Sequence, residues 1–449
     1  MTVISDRCSI CGCKRWLVFL TAWLSMAIDV GFIFSSGALF VDYMNTFQVN
    51  RSQAALVQSV MMAVRFGSGV MSGAIVQRFG TLKAGVFGSS IATAGFVISY
   101  FATSIYHLVF SMGLLIAIGS SCLFISSSTA VGKHFSGKTG LILMSIQTAG
   151  GGLGGMLYPF ILKYLSSTYG LKGSLILMGG FYMQLIPASL LWTDCRNKKE
   201  TNADSSDLTS ETSNSEEVSE ITKEEDDSSK KHLSSKLVEY ETERKDPECS
   251  VLIERKIQIP NASDTPLKSE NMVTIENVSE ETAFENLKHL ASTPSFVLFA
   301  AGLGIAYPAL GIVFIFIVDL IMDAGLTRDQ ASLGLFLVHM FSILGRLLPG
   351  IIMQSKYVAT LSVPVVAAAM TSISMAGLAY ANILELCLFL CCFIGIPYGM
   401  FVSVFSVTPL KLVGISRLSN AIGVLFTLNG LGTALAGPIS GTYICSLYN

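Results

Sequence analysis

The chain alternates long apolar runs with short polar breaks, and within each run the apolar positions are continuous rather than every second residue. Eleven runs stand out, at roughly 16–41, 53–76, 82–103, 107–131, 139–163, 172–192, 295–318, 331–353, 359–381, 384–408 and 417–440. Each has about the ~20 residues a helix needs to cross ~30 Å of hydrocarbon. Barrel strands would alternate lipid-facing and lumen-facing positions over about ten residues, so the pattern predicts an all-α polytopic membrane protein. The runs group as six and then five around one polar stretch. This predicts a tail over 1–15, an N-terminal six-helix bundle over 16–192, a linker over 193–292 and a C-terminal bundle over 293–449 with five helices visible.

Composition agrees with that division. Of the 449 residues, 51% are hydrophobic and 13% charged, and the mean hydropathy is +0.59, which excludes an ordinary soluble domain. The net charge of -2 hides an asymmetry: residues 193–292 hold 24 of the 31 acidic and 13 of the 29 basic side chains, leaving 7 acidic and 16 basic residues for the membrane part. The linker, with stretches such as "SEEVSEITKEEDDSSKK", has too little apolar surface to offset the entropy of ordering. It reads as a disordered acidic spacer, with phosphorylation or partner docking as the alternative.

Basic residues in the short loops set the orientation. Lys14, Arg15, Arg78, Lys83, Lys133, Lys138, Lys356, Lys411 and Arg417 fall on one side, against Arg51, Lys163, Lys172 and Arg328 on the other. The first side is cytoplasmic by the positive-inside rule. The first run begins near Trp16 and is longer than a signal-peptide core, with no small-residue cleavage site, so it reads as the first span. The sequon at Asn50 falls in the first external loop and is a glycosylation candidate; those at Asn261 and Asn277 fall on the cytoplasmic side and read as spurious. Cys8, Cys11 and Cys13 are three thiols without a fourth ligand nearby. Acylation next to the membrane or plain reduced thiols are the alternatives to zinc, and no metal or cofactor is predicted.

Three charged residues lie well inside apolar runs: Asp29, Arg65 and Arg346. A charge at the bilayer centre costs at least ~2.5–3.5 kcal/mol, so such residues face a cavity or a partner. Arg346, mid-run in "FSILGRLLPG", is the main candidate to meet a carboxylate, because guanidinium and carboxylate planes match through paired hydrogen bonds. An internal ion pair is its alternative role. Asp29 is the candidate counterion of either arginine and also a candidate proton relay. Arg65 has a substrate-facing, an interhelical or a snorkelled reading. The glycines of "GSGVMSG" (67–73) and "GGGLGG" (150–155) let helices approach closely. "GAIVQRFG" from Gly73 and "GIIMQSKY" from Gly350 place a Gly, a Gln four residues on and then a basic residue at matching points of the two halves, as internal repeats of transporters do.

Four stretches carry a family likeness: "GKHFSGKTGLILMSIQTAGGGLGG" (132–155), "YGLKGSLIL" (169–177), "GLTRDQASLGLFLVHMFSILGRLLPGII" (325–352) and "LVGISRLSNAIGVLFTLNGLGTALAGPISG" (412–441). Together they resemble the monocarboxylate transporter family of the major facilitator superfamily. The resemblance implies the major facilitator fold of two six-helix bundles, with the twelfth helix missing here, as in a truncated isoform, an incomplete gene model or an eleven-helix carrier. It further implies a cytoplasmic N-terminus, a plasma-membrane location, small organic anions as substrates, protons as co-substrate and a single-span accessory glycoprotein as partner. On it, Arg346 falls on the arginine that binds substrate carboxylate, and Gly73, Arg78, Gly80, Lys133, Gly150, Gly154 and Gly345 are motif residues of the moving bundles.

The departures shape the functional reading. Proton-coupled lactate carriers have an aspartate four residues before the arginine, where this chain has Ser342, and a lysine in the first helix, absent from "GFIFSSGALF" (31–40). Ser342 and Ser35 therefore join Arg346, Asp29 and Arg65 as candidate substrate-binding positions, with Asp29 as the candidate proton site. The reading is a secondary-active or facilitative carrier of small monocarboxylates. Its alternatives are a carrier of neutral or zwitterionic solutes, such as aromatic amino acids or creatine-like metabolites, and a non-transporting membrane sensor. No clustered nucleophile and base supports an enzyme, and nothing points to nucleic acid.

Overall fold

The structure, a computed structural model, describes residues 2–135, 137–193, 283–323, 325, 327–378, 380, 381 and 383–448. The helices are α1 (Thr2–Ser35), a 3-10 turn (Ser36–Leu39), α2 (Phe40–Phe47), α3 (Arg51–Gly67), α4 (Gly69–Tyr100), α5 (Ile105–Phe110), a π-helical turn (Ser111–Ile116), α6 (Ala117–His134), α7 (Gly137–Met183) and α8 (Leu185–Leu190). After the linker follow α9 (Ala283–Ser292), α10 (Pro294–Asp323), α11 (Arg328–Ile352), α12 (Ser362–Leu378), α13 (Leu384–Val413) and α14 (Leu418–Tyr448). Among the described residues there is no strand, as expected where hydrocarbon leaves the backbone no other hydrogen-bond partner.

By length and apolarity alone, six continuous helical stretches among the described residues qualify as membrane spans, or seven when α9 and α10, bent by 89°, count as one. Two of the six contain a glycine break. Gly80 (φ 83°) splits α4 and Gly170 (φ 69°) splits α7, where the second and third and the fifth and sixth apolar runs meet. Side chains rarely adopt that backbone region, which explains why glycine stands at both points.

Helix ends follow local chemistry. Asn50 and Gln53 form a capping box at the start of α3, and Thr327 and Gln330 form another at the start of α11; each satisfies backbone N–H groups a helix start leaves open. At the far end of α11, Lys411 Nζ donates to Met353 O at 2.5 Å, a cation on the carbonyl end of a helix.

The expected linker lies outside the described residues from 194 to 282. Its last ten residues differ from expectation: they form α9, because "AFENLKHLAS" is amphipathic enough to bury Leu290 and Asn286, and Arg417 Nε donates to Asn286 Oδ1 at 3.1 Å. The side chains of Cys8 and Cys11 also lie outside the described residues, and Cys13 is free and exposed.

The glycine run in α7 has two working faces. On one, Gly150 lies against Trp23 and Gly154 against Ala27 and Gly31 of α1, so close that a Cβ on Gly154 would strike the Ala27 carbonyl oxygen. On the other, Gly152 and Gly155 face α11, where a Cβ would come within 3.1 Å of Ile343 and 3.8 Å of His339 Nδ1 respectively, and Gly151 lies between the two faces, with Val30 of α1 at 2.9 Å and Arg346 Nη1 at 3.1 Å. Helix α7 therefore lies between the first helix of one half and the arginine-bearing helix of the other.

Two seams join the halves, and their chemistry differs. In the first, α7 meets α11 and α13 through small polar groups: Thr148 Oγ1 bonds Ser403 Oγ at 3.1 Å, Ser403 reaches Ser145 at 3.4 Å, and Gly350 packs on Ser145. In the second, α3, α4 and α6 meet α14 through glycines and rings. Gly69 packs on Gly423, Gly73 on Ser419, and Phe426 touches both Phe66 (5.2 Å between centroids) and Phe124 (4.7 Å). Ser419 Oγ donates to Gln77 Oε1 at 2.9 Å, near the end that carries Arg78 and Lys83.

Candidate functional site

The three intramembrane charges fall into two arrangements. Asp29 of α1 and Arg65 of α3 pair within the N-terminal bundle, with Arg65 Nη1 3.3 Å from Asp29 Oδ2 and both side chains 2% exposed. Tyr182 of α7 donates to Asp29 Oδ1 at 3.1 Å, and Arg65 Nη1 also bonds the Ser120 hydroxyl of α6. Phe32, Phe96 and Tyr182, all fully buried, pack together beside this network with centroids 4.8 to 6.1 Å apart. The two opposite charges thus face each other, which a buried ion pair needs to offset desolvation, while Arg65 Nε is left without a hydrogen bond.

Arg346 is different. It is 5% exposed, and Nη1 donates to the Thr148 backbone carbonyl of α7 at 2.7 Å. Its Nε has no hydrogen-bond partner, as is also true of Arg65 Nε, but Arg65 has the Asp29 carboxylate beside it. Capped by one neutral carbonyl, the guanidinium keeps donors for an incoming acceptor. Gly151 and Gly152 provide the room beside it.

Both arginines line one small central cavity of about 30 Å³. Helix α1 contributes Met26, Val30 and Phe34, α3 Arg65 and Phe66, α6 Phe124, and α7 Thr148; the C-terminal half adds Tyr307 of α10, Arg346, Val402 and Phe405 of α13, and Phe426 of α14. Such a volume admits water rather than a solute, so the site is contracted in this state. Exposure along the lining face of α1 rises from 1% at Met26 and 4% at Val30 to 38% at Phe34. At the basic end, Gly73, Gln77, Gly132 and Gly140 pack on residues of α13, α14 and their connection.

Of the other expected substrate positions, Ser342 is fully buried, donates to His339 O of its own helix at 2.8 Å and has Gly399 of α13 packed on its backbone. Ser35 is buried with its hydroxyl 3.5 Å from Gly155 O. Neither lines the cavity. Among the motif positions, Gly345 packs on Ile396, Arg78 lies exposed over the Phe79 ring and Lys133 is exposed. Asn50 is exposed, and its side-chain oxygen accepts from Gln53 N at 2.9 Å.

Sequence reasoning did not single out Tyr182, Ser120, Thr148, Tyr307 or His339. His339 was within reach, because it precedes Arg346 by seven residues and so shares its helix face. Tyr182 and Tyr307 also carried a signal, as hydroxyls inside apolar runs. Thr148 did not, because Arg346 uses its backbone carbonyl.

A family model described as Major Facilitator Superfamily matches residues 16–437. The chain belongs to the major facilitator superfamily. Its curated relatives are monocarboxylate transporters. Monocarboxylate transporter 9 of Mus musculus is 24% identical over 95% of this chain and 86% of its own length, and monocarboxylate transporter 14 of Homo sapiens is 22% identical over 96% and 85%. Monocarboxylate transporter 6 of Mus musculus is 29% identical over 38% of this chain and 36% of its own length. Among solved structures, the proton:xylose symporter XylE covers 97% of this chain and 90% of its own at 14% identity and a TM-score of 0.60. The E. coli fucose:proton symporter FucP covers 97% and 92% at 14% identity with a TM-score of 0.59. These two share the fold. As a member of this family the chain is an integral, multi-pass membrane transporter of a small solute, and not an enzyme.

Proposed function

We propose that this transporter carries small monocarboxylates, with Arg346 as the residue that meets the carboxylate. One observation carries the reading: a guanidinium buried between the halves, with a neutral backbone carbonyl as its hydrogen-bond partner. Holding such a charge out of water is costly until an anion neutralises it, and a carboxylate fits the fork better than any neutral group. The identity of the curated relatives supports the same class.

Alternating access follows from the seams. The contracted cavity, shut at the basic end, corresponds to one face of the cycle; release requires parting the contacts of Gly73, Gln77 and Gly350. Asp29, held by Arg65 and Tyr182, serves as counterion in the N-terminal bundle. The plasma membrane as site, a single-span accessory glycoprotein, a glycan at Asn50 and proton coupling complete the proposal.

The test is uptake of labelled pyruvate or lactate into oocytes, with display verified by surface labelling, with and without an inward proton gradient. Saturable uptake that is lost in Arg346→Ala supports the reading, and stimulation by the gradient supports proton coupling. Uptake of neutral solutes that survives Arg346→Ala would replace it with the neutral-metabolite alternative.

A further inference from the structure

We infer that the preferred solute is an aryl-alkyl carboxylate, an anion with a flat apolar body and no ammonium group. This rests on the carboxylate reading of Arg346 and narrows it from the remaining walls of the same cavity.

The wall around the arginines is aromatic. Phe66 and Phe124 from one half and Tyr307, Phe405 and Phe426 from the other form one connected belt, with centroid separations of 5.7 Å for Phe66 and Tyr307, 4.9 Å for Tyr307 and Phe405, and 6.1 Å for Phe405 and Phe426. Phe34 guards the more exposed side. Polar side chains at the lining, among the described residues, are Arg65, Thr148, Tyr307 and Arg346.

Such walls discriminate in two ways. A short hydroxy or keto acid is hydrated all round, and entry would strip water from its polar atoms with few groups to replace it. An arene loses nothing on leaving water and gains edge and face contacts with the rings, about 0.5–1.5 kcal/mol per aromatic pair beyond area burial. The ammonium of an amino acid meets the opposite obstacle. Arg65 and Arg346 both border the cavity, while the nearby carboxylate, Asp29, is absent from the lining and engaged by Arg65 and Tyr182. Like charges in a poorly hydrated site repel strongly.

The belt also suits a planar guest mechanically. Its rings come from both halves, so relative movement that widens the 30 Å³ cavity separates Phe66 and Phe124 from Tyr307, Phe405 and Phe426. The gap so created is bounded by rings, with the Arg346 guanidinium on its border.

The experiment compares uptake of labelled phenylacetate, pyruvate and phenylalanine in oocytes with surface-labelled protein, subtracting water-injected controls, and uses unlabelled phenylacetamide as the neutral competitor. The expected result is saturable phenylacetate uptake with a KM about tenfold or more below that for pyruvate. It should be lost in Arg346→Ala, unaffected by phenylacetamide and accompanied by no phenylalanine transport. Phe426→Leu, or Tyr307→Leu should the first not reach the surface, is expected to raise the KM for phenylacetate several-fold and by a larger factor than that for pyruvate; an equal rise for both would overturn the aryl preference. A lower KM for pyruvate than for phenylacetate would overturn the aryl preference and leave the carboxylate reading standing. Efficient phenylalanine uptake would overturn the exclusion of ammonium. Competition by phenylacetamide equal to that of phenylacetate, or no carboxylate uptake despite surface display, would overturn the carboxylate reading and this inference with it.

Discussion

Asp29 and Arg65 sit 3.3 Å apart across α1 and α3, and this pairing leaves Arg346 as the cavity-lining guanidinium with no carboxylate paired to it among the described residues. The two arginines look equivalent in the sequence, each a single cation in an apolar run. The structure makes one a bundle-holding group and the other an open position.

That difference predicts opposite phenotypes. Asp29→Asn strands Arg65 in a dry bundle, and breaking a buried pair from one side costs about 3–5 kcal/mol. Lower surface expression and a lower detergent melting temperature are expected. The double variant Asp29→Asn with Arg65→Gln should recover much of both, as a thermodynamic cycle on the two positions would show. Arg346→Leu should melt no lower than the native chain, because it removes an incompletely paired charge.

Arg346→Lys keeps the charge and removes the fork. Surface display should be retained while the KM for the carried carboxylate rises about tenfold or more, because a point charge cannot make the paired planar contact. Concentration-dependent uptake, normalised to surface protein, reads this directly.

Glycines on the two faces of α7 separate packing from function. Gly154→Ala drives a Cβ into the Ala27 carbonyl, where backbone cannot yield, so little folded protein is expected by size-exclusion chromatography. Gly152→Ala meets side-chain atoms instead, Ile343 Cγ1 at 3.1 Å and Arg346 Nε at 3.2 Å. It should fold and display normally but raise KM, since the guanidinium has to move.

The bond between Gln77 and Ser419 predicts a lock. With Gln77→Cys and Ser419→Cys in one chain, a short bifunctional thiol crosslinker should arrest uptake, and each single variant should remain active under the same treatment. A cleavable linker allows recovery with reductant. Unchanged uptake after verified crosslinking would mean that this contact persists throughout the cycle.

Much of the fold was legible because bilayer thickness writes itself into run length. The spans around Gly80 and Gly170 were separated correctly, since loss of apolarity there coincides with the residue that tolerates positive φ. The site was legible only in outline. Arg346, Asp29 and Arg65 announce themselves as charges in hydrocarbon, but the pairing depends on Tyr182, 153 positions from Asp29, and on the Thr148 carbonyl, 198 positions from Arg346. Backbone groups carry no sequence signature. The helix over Ala283–Ser292 was missed because its neighbours are so polar that its five apolar residues did not register as a face.

The run from Gly150 to Gly155 leaves Leu153 as its only side chain. Over that length the helix presents bare backbone to α1 and to α11, and offers a guest almost nothing by which to tell one solute from another. A descendant of this protein cannot change its diet by altering these positions, because several substitutions collide and the others push on the arginine. Variation in cargo has to be composed on the opposite bank, by the rings and aliphatic groups of α10, α13 and α14, while this stretch of α7 stays silent.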